Sequence, residues 1–199
     1  VRLTLPRFTV VGATTRTSVL TAPLGDRVGL VRRLECSRGD GVAVSVCRSA
    51  GLLGVEVVGE AAEDVARRAR GTPRSANRLL RRVRDFAHHL GTESVTLEAA
   101  RWGLEQMEVD GFGLDHLDRQ LLTTIIDVYK GGPVGLKALA ASIGEDRGTL
   151  EDIHEPYLLQ IGLLQRTPRG RAVTANAYRH LGLDALGASR GLFDGQESE

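Results

Sequence analysis

Gly71-Thr72-Pro73-Arg74 is the stretch from which the rest of the chain is read, because one arginine-rich helix is expected to end there and another to begin. Thr72 is a residue type that caps helix N-termini. Pro73 suits the first helical position, where its missing N–H would be unpaired anyway. Arg74 then stands beside free backbone donors at the positive end of the helix dipole. Backbone N–H groups, dipole and guanidinium fork all favour a phosphate at that point. A plain helix cap with a solvated arginine is the alternative reading of these four residues, so the neighbours have to decide.

Working outward, residues 60–69 present Ala62, Val65, Ala66 and Ala69 at helical spacing, and residues 73–90 present Ala76, Leu79, Leu80, Val83, Phe86 and Leu90 before Gly91 stops the helix. Arg67, Arg68, Arg70, Arg74, Arg78, Arg81, Arg82 and Arg84 fill the other faces. The net charge is only +1, so the position of these arginines carries the signal. A weaker helix with Val42, Val46, Cys47, Ala50 and Leu53 on one face is expected over residues 40–53, and another over residues 96–107. Residues 36–110 thus read as a small helical bundle.

Before the bundle, Phe8-Thr9-Val10-Val11-Gly12 is an apolar run of the kind that fills a buried parallel strand, and residues 29–34 read as a second strand. Between them, residues 23–27 are expected to form a loop and a short helix. A buried central strand has to pair with others, so the expectation is that residues 1–35 end a larger piece or dock elsewhere. After the bundle, Val109-Asp110-Gly111-Phe112-Gly113 reads as a linker. Helices are predicted over residues 115–129, 136–143 and 149–161, and strands over 163–166 and 172–174 pair across Pro168, Arg169 and Gly170. Three helices and a hairpin describe a winged helix-turn-helix over residues 111–182. The tail, residues 183–199, is acidic at its end and is expected to be disordered.

The sequence, 42% hydrophobic and 26% charged, is that of an ordinary globular protein. It has no apolar run near the roughly 20 residues of a membrane-crossing helix and no signal-peptide pattern, which points to the cytoplasm. Cys36, Cys47 and the pair His88-His89 lack metal-ligand spacing and read as structural, with no metal site. Glu151, Asp152 and Glu155 would set the third winged-helix segment against groove phosphates at a Coulombic penalty. Arg166, Arg169 and Arg171 flank a Pro-Gly turn instead, a fork suited to DNA backbone or minor groove without sequence reading.

Together these motifs resemble one family, the bacterial Holliday-junction branch-migration motor RuvB, an AAA+ ATPase. The matching runs are Phe8-Thr9-Val10-Val11-Gly12-Ala13-Thr14-Thr15-Arg16, Arg68-Ala69-Arg70-Gly71-Thr72-Pro73-Arg74, the run from Asn77 to Phe86, Gly144-Glu145-Asp146-Arg147-Gly148-Thr149, Glu155-Pro156-Tyr157-Leu158 and Arg166-Thr167-Pro168-Arg169-Gly170-Arg171. The resemblance implies a mainly α chain: the end of an AAA+ α/β ATPase core (1–35), a helical AAA+ lid (36–110) and a winged-helix DNA-binding domain (111–182). It implies that Thr15 is the sensor of the γ-phosphate, that Arg27 is an arginine finger reaching a neighbouring subunit's nucleotide, and that Arg74, beside Pro73, is the second sensor on the lid. ATP and Mg2+ are the implied ligands. Four-way or duplex DNA, like subunits in a homo-oligomeric ring, and the proteins RuvA and RuvC are the implied partners.

Departures are informative too. Leu24-Gly25-Asp26-Arg27-Val28 stands where the family has Leu-Arg-Asp-Arg-Phe, so the finger keeps its arginine with a smaller apolar anchor. Cys36-Ser37-Arg38-Gly39-Asp40-Gly41 should fray the first lid helix. No Gly-x-x-x-x-Gly-Lys-[Ser/Thr] occurs, and no Asp-Glu pair closes a strand to hold magnesium, so ATP hydrolysis by this chain alone is not expected. A free-standing winged-helix DNA-binding regulator and a truncated product without function are the competing readings.

Overall fold

The computed structural model describes residues 6–14, 27–32 and 39–183. It divides into two units, Val1–Glu35 and Cys36–Glu199. In the first, the strand expected over residues 8–12 does not form: residues 6–14 are exposed and in no ladder. A strand is stabilised by hydrogen bonds to a neighbouring strand, and the described residues of this unit contain none. The same correction holds for residues 29–32, while residues 33 and 34, the loop at 23–26, Thr15, Cys36 and the tail from 184 onward lie outside the described residues.

The second unit opens with α1 (Gly39–Leu52), which buries Val42, Val46 and Ala50 at four-residue spacing. Cys47 lies off that line and is exposed. Two-residue strands β1 (Glu56–Val57) and β2 (Ser94–Val95) pair in parallel and tie the start of α2 (Gly59–Arg68) to the start of α4 (Leu97–Gln106). Between them runs α3 (Pro73–His89), ended by Gly91 at φ 76°. The shared core is rich in alanine and valine, Ala61, Ala62, Val65, Ala76, Val83 and Ala87 among them, and small side chains let helix axes approach closely. Ala87, not the exposed Leu90, closes the buried face of α3. Phe86 meets Trp102 edge-on at 5.4 Å and covers Gly103, where a Cβ would lie 3.0 Å from the Phe86 ring.

A second core gathers Leu114, Leu121, Leu122, Ile125, Leu136, Leu139, Leu150, Leu158 and Leu163. Its first helix, α5 (His116–Asp127), starts with a reciprocal Asp115/Asp118 capping box, and α6 (Leu136–Ile143) stops at Gly144, φ 78°. The helix expected over 149–161 is instead α7 (Arg147–Thr149), a π turn (Leu150–His154) and α8 (Glu155–Gln160). Pro156 explains the break: its ring crowds the carbonyl four residues back, and in the widened turn the Glu155 N–H donates to the Leu150 carbonyl.

The hairpin is shifted slightly from its expected place, with β3 (Leu164–Thr167) antiparallel to β4 (Gly170–Val173) across a two-residue turn. Val134 bridges Arg171 as a third edge, and Gly170 (φ 142°) has to be glycine because a Cβ there would meet the Val134 carbonyl oxygen at 2.3 Å. A short closing helix, α9 (Ala175–His180), capped by Thr174, was not legible from its few residues. No described helix is long and apolar enough to cross a membrane.

Candidate functional site

Thr72 occupies the N-cap position of α3, but its hydroxyl does not cap; it donates back to the Ala69 carbonyl at 3.1 Å. Arg70 and Gly71 both take left-handed conformations (φ 57° and 68°), and this tight connection turns the hydroxyl toward the helix just ended. Pro73 is the first helical residue and Arg74 is exposed directly after it. Arg74 borders an open groove of about 670 Å³ lined by Asn77, Arg78, Arg81, Arg82, Arg84 and Asp85. The donor set suits phosphate. It does not suit Mg2+, since the groove's one carboxylate, Asp85, is held by Arg84 at 2.7 Å and Arg82 at 3.6 Å.

The arginines ahead of Arg74 serve the structure. Arg67 and Arg68 close on the buried Asp64, and Arg68 also donates to the Val109 carbonyl at 2.9 Å. Arg70 joins the two cores: Nε donates to the Gly113 carbonyl at 2.7 Å, Nη2 meets Asp118 and lies 3.4 Å from Asp115, and the guanidinium rests 4.9 Å from the centre of the Tyr157 ring. Tyr157 in turn donates to the Phe112 carbonyl at 2.6 Å. Gly113 (φ 77°) permits this closeness, because a Cβ there would stand 2.3 Å from the Arg68 carbonyl oxygen.

Asp118, fully buried, also meets His154 Nδ1 at 2.7 Å and accepts the Asp115 backbone N–H at 3.0 Å. Burial pushes its carboxyl up, but His154, Arg70 and the Asp115 N–H outweigh that and hold it below the usual range. The hydrogen bond to Asp118 raises His154 above its ordinary value against the opposing effect of burial. Asp115, Asp118 and His154 bring ligand-type atoms within 4.8 Å of one another, and the Arg70 guanidinium supplies the positive charge there.

In the wing the acid expected to face DNA turns inward. Glu155 is 1% exposed and lies between Arg166, whose Nε donates to Oε1, and Arg171, which donates through Nε to Oε1 at 3.1 Å and through Nη2 to Oε2 at 3.0 Å. Burial pushes the Glu155 carboxyl up; the two guanidinium partners outweigh it and leave it below the usual carboxylate range. The three wing arginines therefore part company. Arg171 is 19% exposed and committed to Glu155, Arg166 is 57% exposed although its Nε is held by Glu155, and Arg169 is exposed at the turn. Arg27 is exposed in the first unit, and Thr15 lies outside the described residues. Sequence reasoning missed two sets, Arg70 with Asp118 and His154, and Glu155 with Arg166 and Arg171; only the Asp-x-x-Asp capping pattern of Asp115 and Asp118 was open to it.

A four-helix bundle with an exposed arginine at the start of its third helix, followed by a winged helix, is the lid and winged-helix part of an AAA+ protein. Three family models match in succession: the Holliday junction DNA helicase RuvB P-loop domain over residues 1–34, the RuvB AAA lid domain over 40–110 and the RuvB C-terminal winged helix domain over 111–182. The chain belongs to the RuvB family. A mutant RuvB of Thermotoga maritima is 46% identical with a TM-score of 0.81, covering 87% of this chain and 58% of that one. The Thermotoga maritima RuvB described as a Holliday junction branch migration motor is 45% identical with a TM-score of 0.80, covering 85% and 57%. The chain thus spans less than two thirds of these relatives.

Proposed function

We propose that this chain carries the lid and DNA-contacting parts of an ATP-driven motor that moves Holliday junctions in recombination and repair, as a ring of like subunits. The division is that of the family: residues 1–35 as the end of the ATPase core, 36–110 as lid, 111–182 as winged helix. In this reading Thr15 senses the γ-phosphate, Arg27 reaches the neighbouring subunit's nucleotide, and Arg74 beside Pro73 contacts nucleotide from the lid. A finger of this type contributes about 10³ to 10⁵ in rate. ATP and Mg2+ would be held chiefly by a P-loop segment, so the 199-residue chain by itself does not turn over ATP. RuvA and RuvC are the partners in the junction.

The observation that carries the DNA reading is the braced wing. Glu155 and Arg171 fix the strands from below, and Arg169 is left exposed at the turn with Arg166 partly free beside it. Such a fork meets phosphate oxygens and carries no base readout. The test is the affinity of the chain for a four-way junction and for duplexes of different sequence, measured across salt. Arg169→Ala should reduce the magnitude of the slope of log K against log salt by about 0.9 with no loss of stability. An unchanged slope removes the wing from the interface, and strong selectivity for one duplex sequence favours a regulator instead.

A further inference from the structure

The winged helix keeps its charges apart. No acidic residue occurs between Asp127 and Glu145 or between Glu155 and Asp184, whereas Glu145, Asp146, Glu151 and Asp152 crowd the stretch between. That acidic stretch runs through α7 and into the π turn, the part a helix-turn-helix protein ordinarily sets in the major groove. Arg147 is its one guanidinium, and it lies 3.3 Å from Glu151. Facing phosphates, the stretch is repulsive. Most cations elsewhere in the winged helix are held: Arg119 meets Glu108 at 3.5 Å, Arg166 and Arg171 close on Glu155, and Arg179 donates to the Asn176 amide oxygen at 3.2 Å. Lys130, Lys137 and Arg169 are exposed and have no carboxylate partner among the described residues.

Backbone pairing brings two of these three together. Val134 and Arg171 exchange both backbone hydrogen bonds at 2.8 Å, and the Gly135 nitrogen lies 3.1 Å from where a Gly170 Cβ would stand. Lys137 follows Gly135 by two residues and Arg169 directly precedes Gly170, so at 3.8 Å per step their Cα atoms are at most about 17 Å apart. That is about half a turn of duplex. Lys130 lies before the bridge, where the Gly131 carbonyl accepts from the Val173 N–H, away from the turn. We propose that the start of α6 is a second DNA contact, with Lys137 holding a backbone phosphate beside the one met by Arg169. The proposal rests on the reading of the wing as a DNA contact and extends that interface onto the helix next to it. The duplex then lies along the acid-free edge, and the acidic stretch is turned away from the groove. A lysine ammonium is a point charge with three donors and no base readout, so this contact adds affinity and fixes the direction of the duplex without selecting its sequence.

The test is the salt dependence of binding of the 199-residue chain to a duplex of mixed sequence. The variants are Lys137→Gln, Arg169→Ala, the two together, and Arg147→Gln in the acidic stretch, with circular dichroism to confirm folding. Lys137→Gln and Arg169→Ala should each reduce the magnitude of the slope of log K against log salt by about 0.9, and the pair by about 1.8, while Arg147→Gln leaves it unchanged. A reduced slope for Arg169→Ala with none for Lys137→Gln overturns the second contact and leaves the wing reading standing. An unchanged slope in both, or no duplex binding by the unaltered chain, overturns both. A reduced slope for Arg147→Gln also overturns the proposal, because it sets the acidic stretch in the groove. Sedimentation of the chain without DNA covers the remaining occupant: if Lys137→Gln lowers self-association and leaves the slope alone, the edge meets the acidic stretch of a second copy instead.

Discussion

Glu155 shows how far one side chain's role depends on where it points. As an acid in a helix beside a DNA-facing hairpin it reads as a repulsive group, yet buried between Arg166 and Arg171 it holds the wing in shape. Removing one partner of a buried ion pair leaves the others uncompensated, a cost of about 3 to 5 kcal/mol when both are fully buried. Arg166 is more than half exposed and can be resolvated, so Glu155→Gln should cost less, about 2 kcal/mol in urea unfolding. The pH dependence has a definite sign. Because the folded-state pKa of Glu155 is depressed, its contribution is present above the ordinary glutamate value and is lost as pH falls through the lower folded value. The Gln variant should therefore lose less stability than the parent over that acid range.

At the scale of elements, the π turn packs against the start of α5, where the winged helix receives Arg70 of the lid. It brings His154 onto Asp118 of α5, which also receives Arg70 from the segment between α2 and α3. Asp118, Asp115 and Arg70 are the charged groups acting on His154. Its folded pKa is raised, so the stabilisation is fully present below the unfolded value of about 6.5 and is lost as pH rises through the folded value. Thermal unfolding of the parent should show a fall in midpoint as pH rises through that step, and His154→Gln should remove the step. An identical pH profile in parent and variant would show that another group carries the titration.

At the scale of the whole molecule, the two hydrophobic cores of the described residues are linked through Arg70, with Arg68 bonded to the connecting segment. Arg70→Ala would leave a buried carboxylate with His154 and one backbone donor, and would remove the link to the Gly113 carbonyl and the contact with Tyr157. Scanning calorimetry should then show unfolding that is broader than the parent's or split, with a loss of about 3 kcal/mol. Unfolding unchanged from the parent's would mean that apolar contacts alone couple the two cores. On the proposed function this coupling would let the winged helix follow a lid that responds to nucleotide.

The sequence by itself determined the helices of the bundle, the two cores, the hairpin and the place of Arg74, because each rests on local periodicity, caps and turn residues. Phe8 to Gly12 also reads locally as a strand, but strands are made by partners, and among the described residues of that unit no partner strand is present. Tertiary structure alone decided which arginines are free. Arg70 and Asp118 are 48 positions apart, and Glu155 and Arg171 are 16 apart. A guanidinium has the same composition whether it faces solvent or a buried carboxylate, so only folding separates the arginines that hold the chain together from those left to bind something else.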